Sequence, residues 1–460
     1  MTKSLNYEKK NGWLHAADEK EIALQFCEKY KDFLNHACTE REFCKEAEKM
    51  AKAAGFVPMK EKKSLQPGDK IYSINRGKGI MLSVIGTEPM ESGVNLVGAH
   101  IDSPRLDLKQ NPLFEDGSMA FLKTHYYGGI KKYQWFATPL SMHGRVILKD
   151  GTELDLSIGG EDDDFTFTVT DLLPHLADEQ QMKKVKEAFD GENLNILVGS
   201  MPVAGDEVKA PIKEYILQYL HDTYNMEEED FLSAEIEMVP AIKQKDVGFD
   251  RSMIGGPGQD DRVCAYTAME ALFSVDAPKH TAVCLLVDKE EIGSMGNTGM
   301  RSRFFENMIA EICFLQKAEN NISVRRCLSA SKCLSADVNA AFDPAYANAY
   351  EKNNASILGY GVTISKYTGH GGKSGSSDAS AEFVAEIRKL FNDNGVIWQT
   401  AELGRVGVGG GGTIAQYVAN LDIDTLDCGT ALLSMHSPFE ISSKMDVYMT
   451  YKAYKAFLAR

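Results

Sequence analysis

Apolar positions recur along this chain with two periods, and the alternation between them sets the expected fold. In EKEIALQFCEKYKDFLNHAC and TEREFCKEAEKMAKAAGF they return every three or four residues, the spacing of an amphipathic helix. Thr39 and Glu42 form a capping box at the start of the second. KIYSINRGKGIMLSVIG and GVNLVGAHID then read as strands, the latter a nearly continuous apolar run suited to a buried sheet. After about residue 255 helix and strand alternate again. DRVCAYTAMEALFSV is helical, HTAVCLLVD a buried strand, RSRFFENMIAEICFLQ helical and CLSADVNAAF the end of a strand. SSDASAEFVAEIRKLFNDNG is a helix, NGVIWQTAEL a strand and MDVYMTYKAYKAFLAR a closing helix. The pattern predicts an α/β domain: a mixed, largely parallel sheet covered by helices.

The middle of the chain breaks this pattern. GRVILKDGTELDLSIGG and DDFTFTVTDLL alternate at period two, with turn signals such as Asp150-Gly151. The expectation is an inserted, mostly β domain over residues 106–244, flanked by the two parts of the α/β domain, 1–105 and 245–460. Such an insertion serves as a lid or an oligomer contact.

Composition narrows the class. Among the 460 residues 43% are hydrophobic and 25% charged, with net charge −16. That balance repels nucleic acid, and no basic run interleaved with aromatics offsets it. No apolar run approaches the roughly 20 residues of a membrane span. The opening stretch MTKSLNYEKKNGWLHAADEKE lacks the apolar core of a secretory signal. Nine cysteines are scattered singly, without a C-x-x-C, which argues for reduced thiols and a cytoplasmic protein.

Three tempting motifs fail. GHGGKSG resembles a phosphate loop, but Tyr367 stands where that loop needs its first glycine. VGVGGGGT lacks the dinucleotide spacing and reads as a tight loop that backbone approaches closely. No histidine is followed by glutamate, so the HExxH helix is absent. What remains is a set of histidines and acids at the ends of buried strands, where open α/β sheets bind ligands. NLVGAHIDSPRLDL places His100 and Asp102 on one side of a strand, so the acid can serve the imidazole's second nitrogen. GGPGQDDRVCAY offers Asp260 and Asp261, either of which could instead cap the following helix. Glu290 and Glu291 end TAVCLLVD, Asp337 lies in CLSADVNAAF, and His436 precedes Pro438. An adjacent pair of glutamates is usually a solvated loop. Here two imidazoles and three carboxylates fit a pair of divalent cations sharing one bridging carboxylate, with one carboxylate left over as a base. Oxygen and nitrogen donors without thiolate suit zinc, manganese or cobalt.

GAHIDSPRLDLK, DKEEIGSMGNTGM, LSADVNAAFDP and SMHSPFEISSKMDV resemble, in order and spacing, the signature segments of the aspartyl aminopeptidase family of co-catalytic zinc exopeptidases. YYGGIKKYQWFATPLSMHGRV is similar to the opening of that family's inserted domain. The resemblance implies two zinc ions per subunit, with manganese or cobalt as substitutes. His100 and Asp337 would hold one, Glu291 and His436 the other, and Asp260 would bridge them. Asp102 would orient His100, and Glu290 would be the general base for water attacking the scissile carbonyl. The family usually has Asp-Asn-Leu where this chain has Asp260-Asp261-Arg262, so Asp261 stays open as the bridge. The resemblance further implies peptide substrates with a free N-terminus and a tetrahedral dodecamer built from dimers through the inserted domain. His175 would reach a neighbouring subunit's site. A preference for N-terminal Asp or Glu needs a cation; TISKYTGHGGKSGSSDA offers Lys366 and Lys373, and ELGRVGVGGGG offers Arg405. The alternatives are a broad-specificity aminopeptidase with the same site and a non-catalytic structural particle.

Overall fold

The computed structural model describes residues 5–205, 208–317 and 321–460. The chain divides into two compact units: Met1–Asp102, Gln244–Met435 and Glu440–Arg460 form one, and Ser103–Lys243 with His436–Phe439 form the other.

The first unit is built on a nine-stranded sheet. Its spatial order is Val57–Pro58, Lys70–Ile74, Ile80–Val84, Thr281–Val287, Val94–His100, Lys332–Ser335, Asp424–Gly429, Val362–Ser365 and Trp398–Thr400. The four strands from Thr281–Val287 to Asp424–Gly429 run parallel, which brings their C-terminal ends to one edge. The continuous apolar runs have a simple cause. Along Val94–His100 and Thr281–Val287 alternate side chains enter two different cores, so every position is buried. One core takes Val97, Ala99, Ala282, Cys284 and Leu286; the other takes Val94, Leu96, Val283 and Leu285. The helices Arg262–Phe273 and Lys444–Leu458 cover the first of these and are themselves buried almost throughout. The helix Glu40–Ala53 begins at the Thr39–Glu42 capping box, with both reciprocal bonds present.

A second sheet in this unit has five short strands, ordered Lys245–Val247, Met253–Gly256, Glu440–Ser443, Ala431–Leu433 and Asn339–Ala340. The sequence pattern gave no hint of it, because strands of two to four residues carry too little periodicity.

The inserted unit holds a seven-stranded sheet with Arg105–Asp116, Met119–Tyr127, Pro139–Ile147, Glu153–Ile158 and Glu235–Pro240 among its strands, paired antiparallel. It also contains a helix, Pro211–Tyr224, that a mostly β reading passes over. Pro211 at its first turn is an ordinary start signal, and Asn225 in the left-handed conformation at its end an ordinary stop signal. Glu115 accepts the N–H groups of Ile212 (2.8 Å) and Lys213 (2.9 Å), capping the helix from a distant strand.

Asp427 sits in the nine-stranded sheet, buried, with Thr413 Oγ1 donating to its Oδ1 at 2.7 Å. Burial pushes its pKa up to about 6, although the Thr413 hydroxyl pulls it down. A carboxyl that binds its proton more tightly when folded adds stability below its unfolded pKa, near 4, and loses that stability as pH rises through about 6. Wild-type protein should therefore lose on the order of 3 kcal/mol relative to Asp427→Asn across that window, at about 1.4 kcal/mol per pK unit. Urea denaturation of both chains at pH 4 and pH 7 measures it; parallel pH profiles would rule the assignment out.

Candidate metal centre

His100 ends its strand beside Val287, the last residue of the parallel neighbour. The chain leaving Val287 therefore starts its turn level with the imidazole. On a continuing strand Glu290 and Glu291 would face opposite ways. Instead Lys289 (φ 67°) and Gly293 (φ 92°) bracket a single 3₁₀ turn, Glu290–Ile292, that redirects both side chains. Glu290 Oε2 comes to 3.9 Å from His100 Nε2.

Asp102 fixes this arrangement. It is fully buried, and its two oxygens accept the backbone N–H groups of Glu290 (3.1 Å) and Glu291 (3.2 Å). Its carbonyl lies 3.0 Å and its Oδ1 3.3 Å from His100 Nδ1. With Nδ1 engaged, Nε2 is the nitrogen turned toward the acids.

Asp260 approaches from the opposite side. It follows the strand Met253–Gly256 and a Pro257–Gly258 turn, and its peptide bond to Asp261 is cis. Asp260 Oδ1 lies 3.4 Å from His100 Nε2. Ligand atoms of His100, Asp260 and Glu291 all fall within 4.8 Å of one another. Asp261 occupies the N-cap position of Arg262–Phe273, but its side chain makes no capping bond. Its carboxylate is buried without an N–H or O–H donor, close to the Cys264 thiol. The capping role that the sequence offered Asp261 is not realised. Asp337 follows the strand Lys332–Ser335 and is near enough to feel the charges of Asp261, His100, Glu290 and Asp260.

The electrostatics call for a cation. Burial, and then the charges of Asp261, Glu290 and Asp260, hold the Asp337 carboxyl well above the usual carboxylate range. Burial and the carboxylates of Asp260 and Glu290 do the same to Asp261, against the lowering influence of His100. Burial would lower the pKa of His100, but hydrogen bonds to Asp102 and Asp260 and nearby negative charge outweigh it, and the imidazole is held well above its ordinary value. Imidazole and carboxylate donors crowded in this way fit zinc.

The remaining candidates have their own local partners. His436 has φ 64° and belongs with the inserted unit, where its Nδ1 lies 2.9 Å from the Gly129 carbonyl. A Cβ at Gly129 would come within 3.3 Å of that ring, so glycine keeps room for it. His175 is exposed on the short turn Pro174–Leu176. Lys366 and Lys373 both pair with Asp378, at 2.9 and 3.2 Å. Lys373 also lies over the Tyr367 ring and lines a cavity of about 270 Å³ with Tyr367, Glu402 and Arg405. Among the described residues Arg405 has no ion-pair partner.

One buried acid at the approach to Asp260 escaped sequence reasoning. Glu440, 2% exposed, accepts the N–H groups of Gln259 (2.7 Å) and Asp260 (3.1 Å). Only the register of the five-stranded sheet, which sets Glu440 opposite Gly256, brings it there.

Residues 33–458 match the family described as aminopeptidase I zinc metalloprotease (M18). A protein of Clostridium acetobutylicum named "Probable M18 family aminopeptidase 1" is 49% identical over 464 residues, covering 100% of both chains. The crystal structure of an M18-family aminopeptidase from Thermotoga maritima superposes with TM-score 0.95 at 46% identity, over 98% of this chain and 99% of that one. The fold alone extends to the S. cerevisiae mApe1 dodecamer, at 21% identity and TM-score 0.75, over 96% of this chain and 97% of that one. With a buried histidine–carboxylate cluster at the ends of its parallel strands, this chain belongs to the M18 family and is a zinc aminopeptidase.

Proposed function

We propose that this aminopeptidase removes acidic residues, Asp or Glu, from the free N-terminus of peptides, using two zinc ions per subunit with manganese or cobalt as substitutes. The observation that carries the catalytic part is the convergence of His100, Asp260 and Glu291, with Glu290 3.9 Å from the imidazole. His100 and Asp337 would hold one ion and Glu291 and His436 the other, with Asp260 available to both. Asp260 is favoured over Asp261 as the bridge because its oxygen, and not that of Asp261, belongs to the ligand cluster. When bound, zinc supplies Lewis-acid polarisation of the scissile carbonyl and acidifies a water molecule toward a pKa of about 7.

The chain's own residues supply the rest. Asp102 keeps His100 facing the acids and pins the turn that carries Glu290 and Glu291. Glu290 is the general base: its carboxylate takes the proton of the attacking water and returns it to the leaving amine. Its position on a turn, not inside the sheet, leaves it the access that proton transfer requires. His175, exposed on the inserted unit, contributes to a neighbouring subunit's site in a dodecamer of dimers. The exposed Leu172, Leu173, Leu176, Met182 and Val185 around it support burial of that segment on assembly. The nine free cysteines, none of them disulfide-bonded, agree with a reducing cytoplasm.

Substrate preference has two readings. Lys366 and Lys373 are the candidate cations for an acidic side chain. Their shared pairing with Asp378 leaves one net positive charge between them and favours the competing reading, a broad-specificity enzyme.

Two outcomes follow. Glu290→Gln should keep its zinc and its melting temperature but lose roughly 10²–10⁴-fold in kcat, the usual worth of a general base. Metal analysis and peptide hydrolysis on one preparation decide this; retained activity excludes Glu290 as the base. Short peptides differing only in the first residue, with free or blocked amines, test the preference. Selective release of Asp and Glu, lowered on the order of tenfold or more by Lys366→Ala as expected for a lost charge-assisted hydrogen bond, supports the acidic pocket. Equal release of neutral residues would establish the broad reading instead.

A further inference from the structure

Glu440 opens the strand Glu440–Ser443 and has no part in the chemistry described so far. Its Oε2 alone accepts two successive backbone N–H groups, those of Gln259 and Asp260. Gln259, fully buried, is tied to the same strand through its side chain. Its Nε2 donates to the Glu440 carbonyl (2.8 Å) and to that of Ile254 (3.2 Å), and its Oε1 accepts from Ser442 Oγ (2.6 Å). The backbone entering Asp260 is therefore anchored by charge-assisted and neutral hydrogen bonds with every polar atom of Gln259 in use.

We propose that Glu440 is a positioning residue of the metal centre, fixing the Asp260 main chain and through it the direction in which the Asp260 carboxylate presents its oxygens. Asp102 does the same for Glu290 and Glu291 across the cluster. In each case one buried carboxylate binds the N–H groups of two consecutive residues, at least one of which points at the cation. Charge-assisted bonds of this kind are the strong ones, and losing a metal site's outer partners typically weakens metal binding 10–100-fold.

The inference rests on Asp260 being a zinc ligand, so the experiment separates the two ideas. The full-length apo protein is titrated with zinc against a chromophoric chelator, with far-ultraviolet circular dichroism confirming the fold. Glu440→Ala should bind zinc on the order of 10–100-fold more weakly. Glu440→Gln should stay near wild type, because its amide oxygen still accepts both N–H groups. Asp446→Ala is the control for plain destabilisation. Asp446 is equally buried and accepts the N–H groups of Gly359 (2.7 Å) and Gly361 (2.6 Å). It should lower the melting temperature and leave zinc affinity unchanged. Wild-type zinc affinity in Glu440→Ala, or an equal loss in Asp446→Ala, overturns the proposal. Should Glu440→Ala not fold, Glu440→Asp carries the test: its shorter side chain cannot reach both N–H groups, so weakened zinc binding is expected and unchanged binding overturns the idea. Wild-type affinity in Asp260→Ala would instead remove Asp260 from the ligand set, a failure of the earlier reading that is visible on its own.

Discussion

Mutual repulsion among Asp102, Asp260, Asp261, Glu290, Glu291 and Asp337 is the constraint around which the larger unit is organised. Two carboxylates about 4 Å apart repel by roughly 4 kcal/mol at an effective dielectric of 20. In this cluster the repulsion raises the proton affinity of Asp261 and Asp337 on top of the effect of burial. Such a cluster is held together by something positive. His100 supplies part of it, and zinc, the metal of this family, suits the rest. The same crowding of negative charge that disfavours ionisation of these acids favours zinc among them.

Repulsion alone would open the loops that carry these acids. What prevents it is a second use of carboxylates, as acceptors for backbone N–H groups. Asp102 holds the Glu290–Glu291 turn and Glu440 the Gln259–Asp260 segment, each through two N–H groups. Asp446 does this at Gly359 and Gly361, and Glu115 at the start of the helix Pro211–Tyr224. Irregular segments cannot satisfy their amides internally. A buried carboxylate satisfies two at once and is itself relieved of desolvation by them. Acids remote in sequence thus tie down loop backbone, and a glycine-rich stretch such as GGPGQDD has its amides anchored in this way.

Much of this was legible in the sequence, for definable reasons. The unbroken apolar runs at Val94–His100 and Thr281–Val287 announced strands buried on both faces, and the acids past their ends marked the binding edge. The two-residue spacing of His100 and Asp102 put the acid beside the imidazole, where it lies. Less visible was that Asp102 also anchors the glutamate turn, since that depends on Thr281–Val287 running parallel to Val94–His100. Glu440 was hidden for a similar reason: nothing in SMHSPFEISSK signals an antiparallel register with Gly256. The pairing of Lys366 and Lys373 with Asp378 could have been entertained from their closeness in sequence, yet spacing in a loop does not fix direction.

The division of labour between the two sheets of the larger unit follows from these registers. The large sheet delivers His100 and the Glu290–Glu291 turn from adjacent parallel strands. The small one ties together the approaches to Asp260 and Asp337: Met253–Gly256 precedes Asp260, and Asn339–Ala340 follows Asp337. Between them run Glu440–Ser443 and Ala431–Leu433. A slip of one residue in any of these short strands would turn alternate side chains to the opposite face and disturb the approaches to both acids. Strands of two to four residues cannot resist such a slip by their own ladder bonds. The buried bonds of Gln259 and Glu440 act as the register lock that the short ladder lacks. The placement of Asp260 thus involves the bonds of the smallest sheet as well as the core of the largest.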